Sequence, residues 1–232
     1  MLTMVATPIG NLEDVGARAL RTLREADVLA CEDTRRTRIL LDHYGIPKPG
    51  LVLSYREGNE QRVGERILNC LDRGLNVALC SDGGYPGISD PGYRLARMIA
   101  ERGGEFQVIP GPSAVPVALL LSGLPTSSYT FKGYPPRKPG PLRRFFDEES
   151  DRPHTLVCFE SPFRVGKTLA AARDTLGDRE AAVCIELTKK FERVHRGGLV
   201  ALAERFASEP IKGEVTIVVA GNHPKFANRL PK

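Results

Sequence analysis

Two segments of this sequence concentrate side chains able to do chemistry. CEDTRRTR, residues 31–38, sets Glu32 and Asp33 beside Arg35, Arg36 and Arg38. The bland account has Asp33 or Thr34 capping a helix, with solvated arginines. That account leaves Glu32 unused, and the sharper one is a carboxylate pair and an arginine comb at the mouth of a cleft. ELTKKFERVHRGG, residues 186–198, gathers Lys189, Lys190, Arg193, His195 and Arg196 after Glu186. A charged turn in solvent explains it adequately by itself. Together with Arg137, Lys138, Arg143, Arg144 and the Arg35 group, it could line a basic rim for phosphates.

A third segment offers backbone instead of side chains. SDGGYPGISDPG, residues 81–92, follows the apolar run NVALC and precedes a helical pattern. Asp90 as N-cap and Pro91 at the first helical position account for its second half. They do not account for Gly83, Gly84 and Gly87, which can take positive φ or let the main chain come close to a ligand. TPIGN (7–11) and PGPSA (110–114) close two other apolar runs, with Ser113 placed to cap the next helix. Four strand ends with glycine, proline or carboxylate chemistry point to one shared site. SPFRVGKT (161–168) imitates a phosphate-binding loop, but Ser161 stands where that motif needs glycine and Pro162 removes a donor. A helix start with Lys167 exposed is the better reading. The pattern GxGxxG is absent, and with it a dinucleotide fingerprint.

These segments need a scaffold of short strands alternating with amphipathic helices. Strands read at LTMVAT, DVLAC, LVLSY, NVALC and EFQVIPG, with helices between them at apolar spacing. The pattern predicts an α/β fold with a mostly parallel N-terminal sheet. From Leu124 to Pro153 the chain is proline-rich and basic and reads as a connection with an exposed loop. TLVCFES, AAVCIEL, an extended ERVHRG and EVTIVVAG then form a second, mixed sheet. The expected division is residues 1–123 and 124–232, with a ligand cleft between two α/β domains.

Composition sets outer limits. In 232 residues, 33 Lys and Arg against 28 Asp and Glu give a net charge of +5, which permits a nucleic-acid partner without requiring one. Five scattered cysteines with no CxxC pair argue against zinc, and no metal is expected. Four lie in or beside apolar runs, as small hydrophobes in a reducing compartment. With no secretory signal and no apolar stretch near ~18 residues, the sequence reads as a cytoplasmic protein without a membrane partner. The tail NHPKFANRLPK reads as poorly ordered, with a few positive charges for RNA.

VATPIGNLED, EDTRRTRILLDHYGI, SDGGYPGISDPGYRL, PGPSA, SGLPT, GYPPRK, FESPFRV, ELTKKFERVHRG and KGEVTIVVAG occur in that order. Together they resemble the family of bacterial small-subunit (16S) ribosomal RNA cytidine 2′-O-methyltransferases, within the wider tetrapyrrole-methylase-like family. The resemblance spans Leu2 to about Gly221. It implies two α/β domains, a homodimer, S-adenosylmethionine in the cleft, and methyl transfer to a ribose 2′-hydroxyl of the small ribosomal subunit. It implies cofactor contacts at Pro8, Ile9 and Gly10, at Asp82, Gly83, Gly84, Tyr85 and Ile88, at Ser113 and Ala114, at Glu160 and Ser161, and at Leu187 and Thr188. The expected RNA contacts are Arg35, Arg36, Arg137, Lys138, Lys190, Arg193 and Arg196. A ribose hydroxyl needs a base, for which Glu32, Asp33 and Glu186 are candidates, with Lys189 to orient or polarise. The sequence departs from the family at Gly83, Tyr85 and Phe163, where alanine, threonine and histidine are usual. Two rivals remain. A porphyrin-precursor C-methyltransferase shares the fold but lacks EDTRRTR and ELTKKFERVHRG. An RNA-binding module would want stacking aromatics, which make up only 6% here with no tryptophan.

Overall fold

The computed structural model describes residues 1–208 and 211–226, so the end of the basic tail, residues 227–232, lies outside the described residues. The chain divides into two compact units, residues 1–113 and 114–232. In the first, β1 (Leu2–Val5), β2 (Val28–Cys31), β3 (Leu51–Ser54), β4 (Val77–Cys80) and β5 (Phe106–Ile109) alternate with α1 (Ala17–Glu25), α2 (Thr34–His43), α3 (Glu60–Asp72) and α4 (Tyr93–Glu101). Every strand pair is parallel, in the order β3-β2-β4-β1-β5.

The strands are short and apolar because helices cover both faces. Leu2, Met4, Val28, Ala30, Val77 and Leu79 point to one face, against Val63 and Ile67 of α3 and Leu95 and Ile99 of α4. Val5, Leu29, Cys31, Ala78 and Cys80 point to the other, against Leu23 of α1 and Leu40 and Leu41 of α2. Alternation with period two divides β1, β2 and β4 between two cores, whereas edge strand β5 buries only Ile109.

The second unit comprises α5 (Ala114–Ser122), β6 (Tyr129–Phe131), α6 (Pro139–Asp147), β7 (Thr155–Glu160), α7 (Val165–Leu176), β8 (Glu180–Ile185), β9 (Arg193–Gly198), α8 (Leu199–Ser208) and β10 (Val215–Val219). Its sheet runs β6-β7-β10-β8-β9, parallel only between β6 and β7. Leu142, Phe145 and Phe146 of α6, Leu169 of α7 and Phe206 of α8 form one core with Cys158, Val183 and Ile217 of the strands. The apolar α5 packs on β10 and β8, and the Cys184 thiol reaches the Ala118 carbonyl at 3.9 Å. That packing assigns α5 to the second unit, so the division falls after residue 113, whereas the composition change suggested residue 123.

Two further differences have local causes. The stretch 124–153 is not a bare connection: it holds β6 and α6. Proline at the start of α6 costs little, since that position has no helical partner for an N–H. Leu142, Phe145 and Phe146 then supply the apolar face that the flanking prolines and arginines mask in the sequence. α4 starts at Tyr93 with Gly92 as its N-cap, two residues after the Asp90–Pro91 start. Gly92 has φ of 153°, and a Cβ there would lie 2.6 Å from the Gly87 amide nitrogen. Residues 87–92 therefore close on themselves before the helix can begin.

The GKT of SPFRVGKT also finds its reason in packing. A Cβ on Gly166 would lie 2.4 Å from the Phe206 carbonyl oxygen, so glycine permits α7 and α8 to touch. Thr168 is buried and donates to Glu160, while Lys167 is exposed, as expected of an ordinary helix start. Gly166→Ala is expected to destabilise the protein by about 1–3 kcal/mol through overpacking. Gly140→Ala in α6, where a Cβ meets nothing within 4 Å, is expected to stabilise by up to about 1 kcal/mol. Thermal denaturation of the two variants checks the opposite signs.

Candidate active site

The parallel order of the first sheet sets four strand ends side by side: Glu32–Asp33 after β2, Ser81–Gly87 after β4, Thr7–Gly10 after β1 and Pro110–Ser113 after β5. Hydrogen bonds knit them together. The Thr7 N–H donates to the Gly84 carbonyl and the Gly84 N–H to the Thr7 carbonyl, both at 2.9 Å. The Thr7 hydroxyl donates to the Ser81 carbonyl at 3.1 Å. The Gly111 N–H donates to the Tyr85 hydroxyl at 3.0 Å, which ties the β4 loop to the β5 loop. Across the β2–β4 boundary, the Asp33 N–H donates to Asp82 Oδ1 at 2.9 Å.

The glycines serve the loops' own packing first. A Cβ on Gly83 would come within 3.2 Å of the Pro8 carbonyl oxygen, and one on Gly111 within 3.0 Å of the Ala6 Cβ. Gly84 has φ of 80°, which side-chain-bearing residues rarely adopt. Backbone thus packs on backbone at the ends of β1, β4 and β5. Pro8 is buried, Ile9 half-buried and Gly10 exposed, while Ile88 is exposed and Tyr85, Ser113 and Ala114 are half-buried. Of these residues only Pro8 lines the open pocket at the ends of β1, β2 and β4, together with Thr7, Leu12, Arg36, Ser81 and Asp82.

The four expected catalytic residues differ in electrostatics. Asp33 caps α2 through the Arg35 amide and pairs with the Arg35 guanidinium at 2.7 Å, which holds its carboxyl far below the usual range. Glu186 and Lys189 pair at 2.8 Å, and Lys189 also reaches Glu214 at 3.0 Å. Burial alone would raise Glu186, but the Lys189 ammonium and the Glu214 amide outweigh it and hold the carboxyl low. Burial likewise opposes the Lys189 charge, and the two glutamates outweigh it to raise its pKa. A raised pKa disqualifies Lys189 as a base. Glu32 shifts upward: burial is the main cause, followed by the Asp82 charge, against the opposing Asp82 amide and Arg36.

In the second unit the expected cofactor residues end β7 and β8. The Glu160 carboxylate is turned into the protein: it accepts from the Ser161 amide at 2.7 Å and from Thr168, and pairs with Arg164 at 3.2 Å. Glu186 and Thr188 flank buried Leu187 with φ of 53° and 65°. Such backbone costs on the order of 1–3 kcal/mol per residue. The Glu186–Lys189–Glu214 ion pairs and the bond from the Thr188 amide to Glu192 at 2.7 Å offset it. Of the expected RNA contacts, Arg35, Arg137, Lys138, Lys190 and Arg193 are exposed. Arg36 lies 3.6 Å from Asp82. Arg196 donates to the Leu121 carbonyl at 2.9 Å and so covers the C-terminal end of α5. Among the described residues, no three His, Cys, Asp or Glu side chains form a group able to hold a metal.

The family model for tetrapyrrole (corrin/porphyrin) methylases matches residues 1–203. The chain belongs to this family. It is 44% identical over 224 residues to a ribosomal RNA small subunit methyltransferase I of Halalkalibacterium halodurans, covering 97% of this chain and 77% of the relative. A protein of the same name from Thermotoga maritima is 42% identical over 220 residues, covering 95% and 98%. The uroporphyrin-III C-methyltransferase of Thermus thermophilus, solved in complex with S-adenyl homocysteine, superposes with a TM-score of 0.63 at 21% identity, covering 94% and 95%. At that identity the likeness shows the fold, two α/β units with a parallel and a mixed sheet. The porphyrin enzyme is thus a fold relative of this methyltransferase.

Sequence reasoning named Tyr85 but not its role, which in the structure is a hydroxyl staple between loops, and it missed Arg164. Arg164 lay inside the phosphate-loop imitation, with no local signal of its role. The Tyr85→Phe variant of this methyltransferase should keep the fold and lose the staple. Amide exchange at Gly111 is expected to accelerate about 2- to 12-fold, the range of one ordinary hydrogen bond. Unchanged exchange at that amide would show that the staple contributes nothing.

Proposed function

We propose that this chain methylates the ribose 2′-hydroxyl of a cytidine in small-subunit ribosomal RNA, using S-adenosylmethionine. The observation that carries the reading is identity above 40% to ribosomal RNA small subunit methyltransferases I over 95–97% of this chain. The Asp82 carboxylate, which lines the pocket at the ends of β1, β2 and β4, would favour a cationic ligand. Pro8, Ile9, Gly10, Gly83, Gly84, Tyr85 and Ser113 would hold it chiefly by main chain. S-adenosylmethionine supplies a methyl group on a sulfonium sulfur, open to in-line displacement by an oxygen nucleophile.

The chain's own task is to place the hydroxyl and take its proton. Glu32 is the group suited to accept it. Its carboxylate is disfavoured by burial and by Asp82, so it binds a proton more readily than Asp33 or Glu186. Asp33 keeps a helix capped and Glu186 keeps Lys189 fixed. The exposed Arg35 of the first unit and the exposed Arg137, Lys138, Lys190 and Arg193 of the second are the cations available to RNA phosphates. Cytoplasmic location and a homodimer belong to the same reading. The buried thiols suit a reducing compartment, and among the described residues no helix is long and apolar enough to cross a membrane. Edge strand β5 exposes Phe106 and Val108, a surface that a second copy would cover.

Labelled donor offered with assembled small subunits, naked ribosomal RNA and a porphyrin precursor tests the reading. Label is expected on RNA ribose, and label on the porphyrin would refute it. Glu32→Gln is expected to lower kcat by about 10²- to 10⁴-fold. In the native enzyme, activity should fall with acidification through a pKa above the ordinary glutamate value of 4.5, because only the ionised carboxylate accepts a proton. The pH–rate profile of Glu32→Gln should lack that limb, and a profile that keeps it assigns the limb to another group.

A further inference from the structure

The most exposed large apolar side chain among those identified stands two residues beyond Ser161, after the end of β7. Phe163 is 90% exposed at the tip of the turn from Ser161 to Arg164, which the Arg164 N–H closes on the Ser161 carbonyl at 2.9 Å. An isolated exposed phenylalanine needs no explanation. This one is held by an unusual amount of structure. Arg164, the next residue, donates through both terminal nitrogens to the Pro135 carbonyl at 3.1 Å and through one of them to the Pro136 carbonyl at 2.7 Å. The same guanidinium pairs with Glu160, whose side chain has no solvent exposure. A buried ion pair thus clamps the Phe163 turn to the GYPPRK loop.

That second loop carries its own exposed ring. Tyr134, 59% exposed, directly precedes Pro135. Its ring meets Phe159 edge-on at 5.6 Å, and Phe159 meets Phe131 at 4.9 Å, so Tyr134 stands on an aromatic base. Arg137 and Lys138 follow on the same loop, and Lys167 lies one helical turn beyond Phe163; all three are exposed. A protein partner would want continuous apolar area. Two exposed rings on clamped loops, among cations, fit a polyanion with flat faces, and only unpaired nucleotides expose those faces.

We propose that Phe163 and Tyr134, on two loops clamped by Arg164, form a stacking platform for unpaired bases of RNA, with Arg137 and Lys138 holding the adjacent phosphates. This rests on the reading of the chain as an RNA methyltransferase and adds the part of the surface that grips bases. The clamp matters because loops held in place before binding lose less freedom on contact.

The test titrates full-length protein with a fluorescein-labelled single-stranded RNA matching the methylated region, and with the corresponding duplex. The native protein is expected to prefer the single strand. Phe163→Ala is expected to weaken its binding by about tenfold, within the range for loss of one base–aromatic stack. Phe163→Trp should retain binding and Phe163→Leu should not, since stacking needs a ring and hydrophobicity alone is insufficient. Equal binding by the leucine and native proteins, or no binding of single-stranded RNA, overturns the proposal. A change of oligomeric state in Phe163→Ala with RNA binding intact also overturns it and assigns the rings to a contact between copies. Methylation of assembled subunits by the native protein, followed in parallel, keeps the two readings apart: label in RNA with no effect of the Phe163 variants sinks the platform alone, whereas no label in RNA sinks the methyltransferase reading beneath it.

Discussion

Two hydrogen bonds between Thr7 and Gly84 fix the arrangement on which the first unit's loops depend. They extend contact between β1 and β4 beyond the last parallel pair, Val5 with Cys80, by turning the β4 loop back against the β1 loop. The turn needs positive φ at Gly84 and no side chain at Gly83, where the Pro8 carbonyl fills the space. Once it is made, Tyr85 is carried to the far side of β1 and meets Gly111 at the end of β5. Asp82, one residue before the glycines, is left facing the end of β2 and accepts the Asp33 amide. One local bridge therefore registers four strand ends. The glycine-dense sequence is explained first by chain packing on chain.

Much of this was legible in the sequence, for physical reasons that differ by element. The central strands β1, β2 and β4 announce themselves because both faces are buried, so VALC and VLAC are apolar without interruption. The helix cap at Asp33 is legible because Asx side chains satisfy the first free amides of a helix. α6 was hidden because its apolar residues, Leu142, Phe145 and Phe146, lie among prolines and arginines whose composition suggests a loop. The division after residue 113 was hidden because α5 is apolar nearly all round, so periodicity cannot say which sheet it covers. The start of α4 was misplaced because Asp90–Pro91 is a valid cap by local rules. The contact between Gly87 and Gly92 that overrides it is a tertiary fact. Pairing of Asp33 with Asp82 requires knowing that β2 neighbours β4, which chain order conceals.

The candidate site was legible in kind and less so in role. The sequence places carboxylates and cations where they are found, but a carboxylate's task depends on what surrounds it. Asp33 and Glu186 each face a cation and an amide, and both are held in the ionised form. In the second unit, Glu160 anchors Ser161, Arg164 and Thr168 at once. These three hold local structure in place. Glu32 alone among the expected bases sits where burial and a neighbouring carboxylate raise its pKa.

The opposite shifts tie this division of labour to stability. A carboxyl held low in the folded state, such as Asp33, stabilises the fold above its unfolded pKa, and that contribution is lost as pH falls through the depressed folded value. A carboxyl raised in the folded state behaves in reverse. Glu32 contributes below its unfolded pKa, and the contribution is lost as pH rises through the raised folded value. At neutral pH the fold therefore gains from an ionised Asp33 and gains nothing from an ionised Glu32, whose charge is kept beside Asp82 against the local electrostatic preference. A fold selected only for stability would put a neutral side chain at that position. A charged one there has a physical use if its eagerness for a proton is what the site supplies.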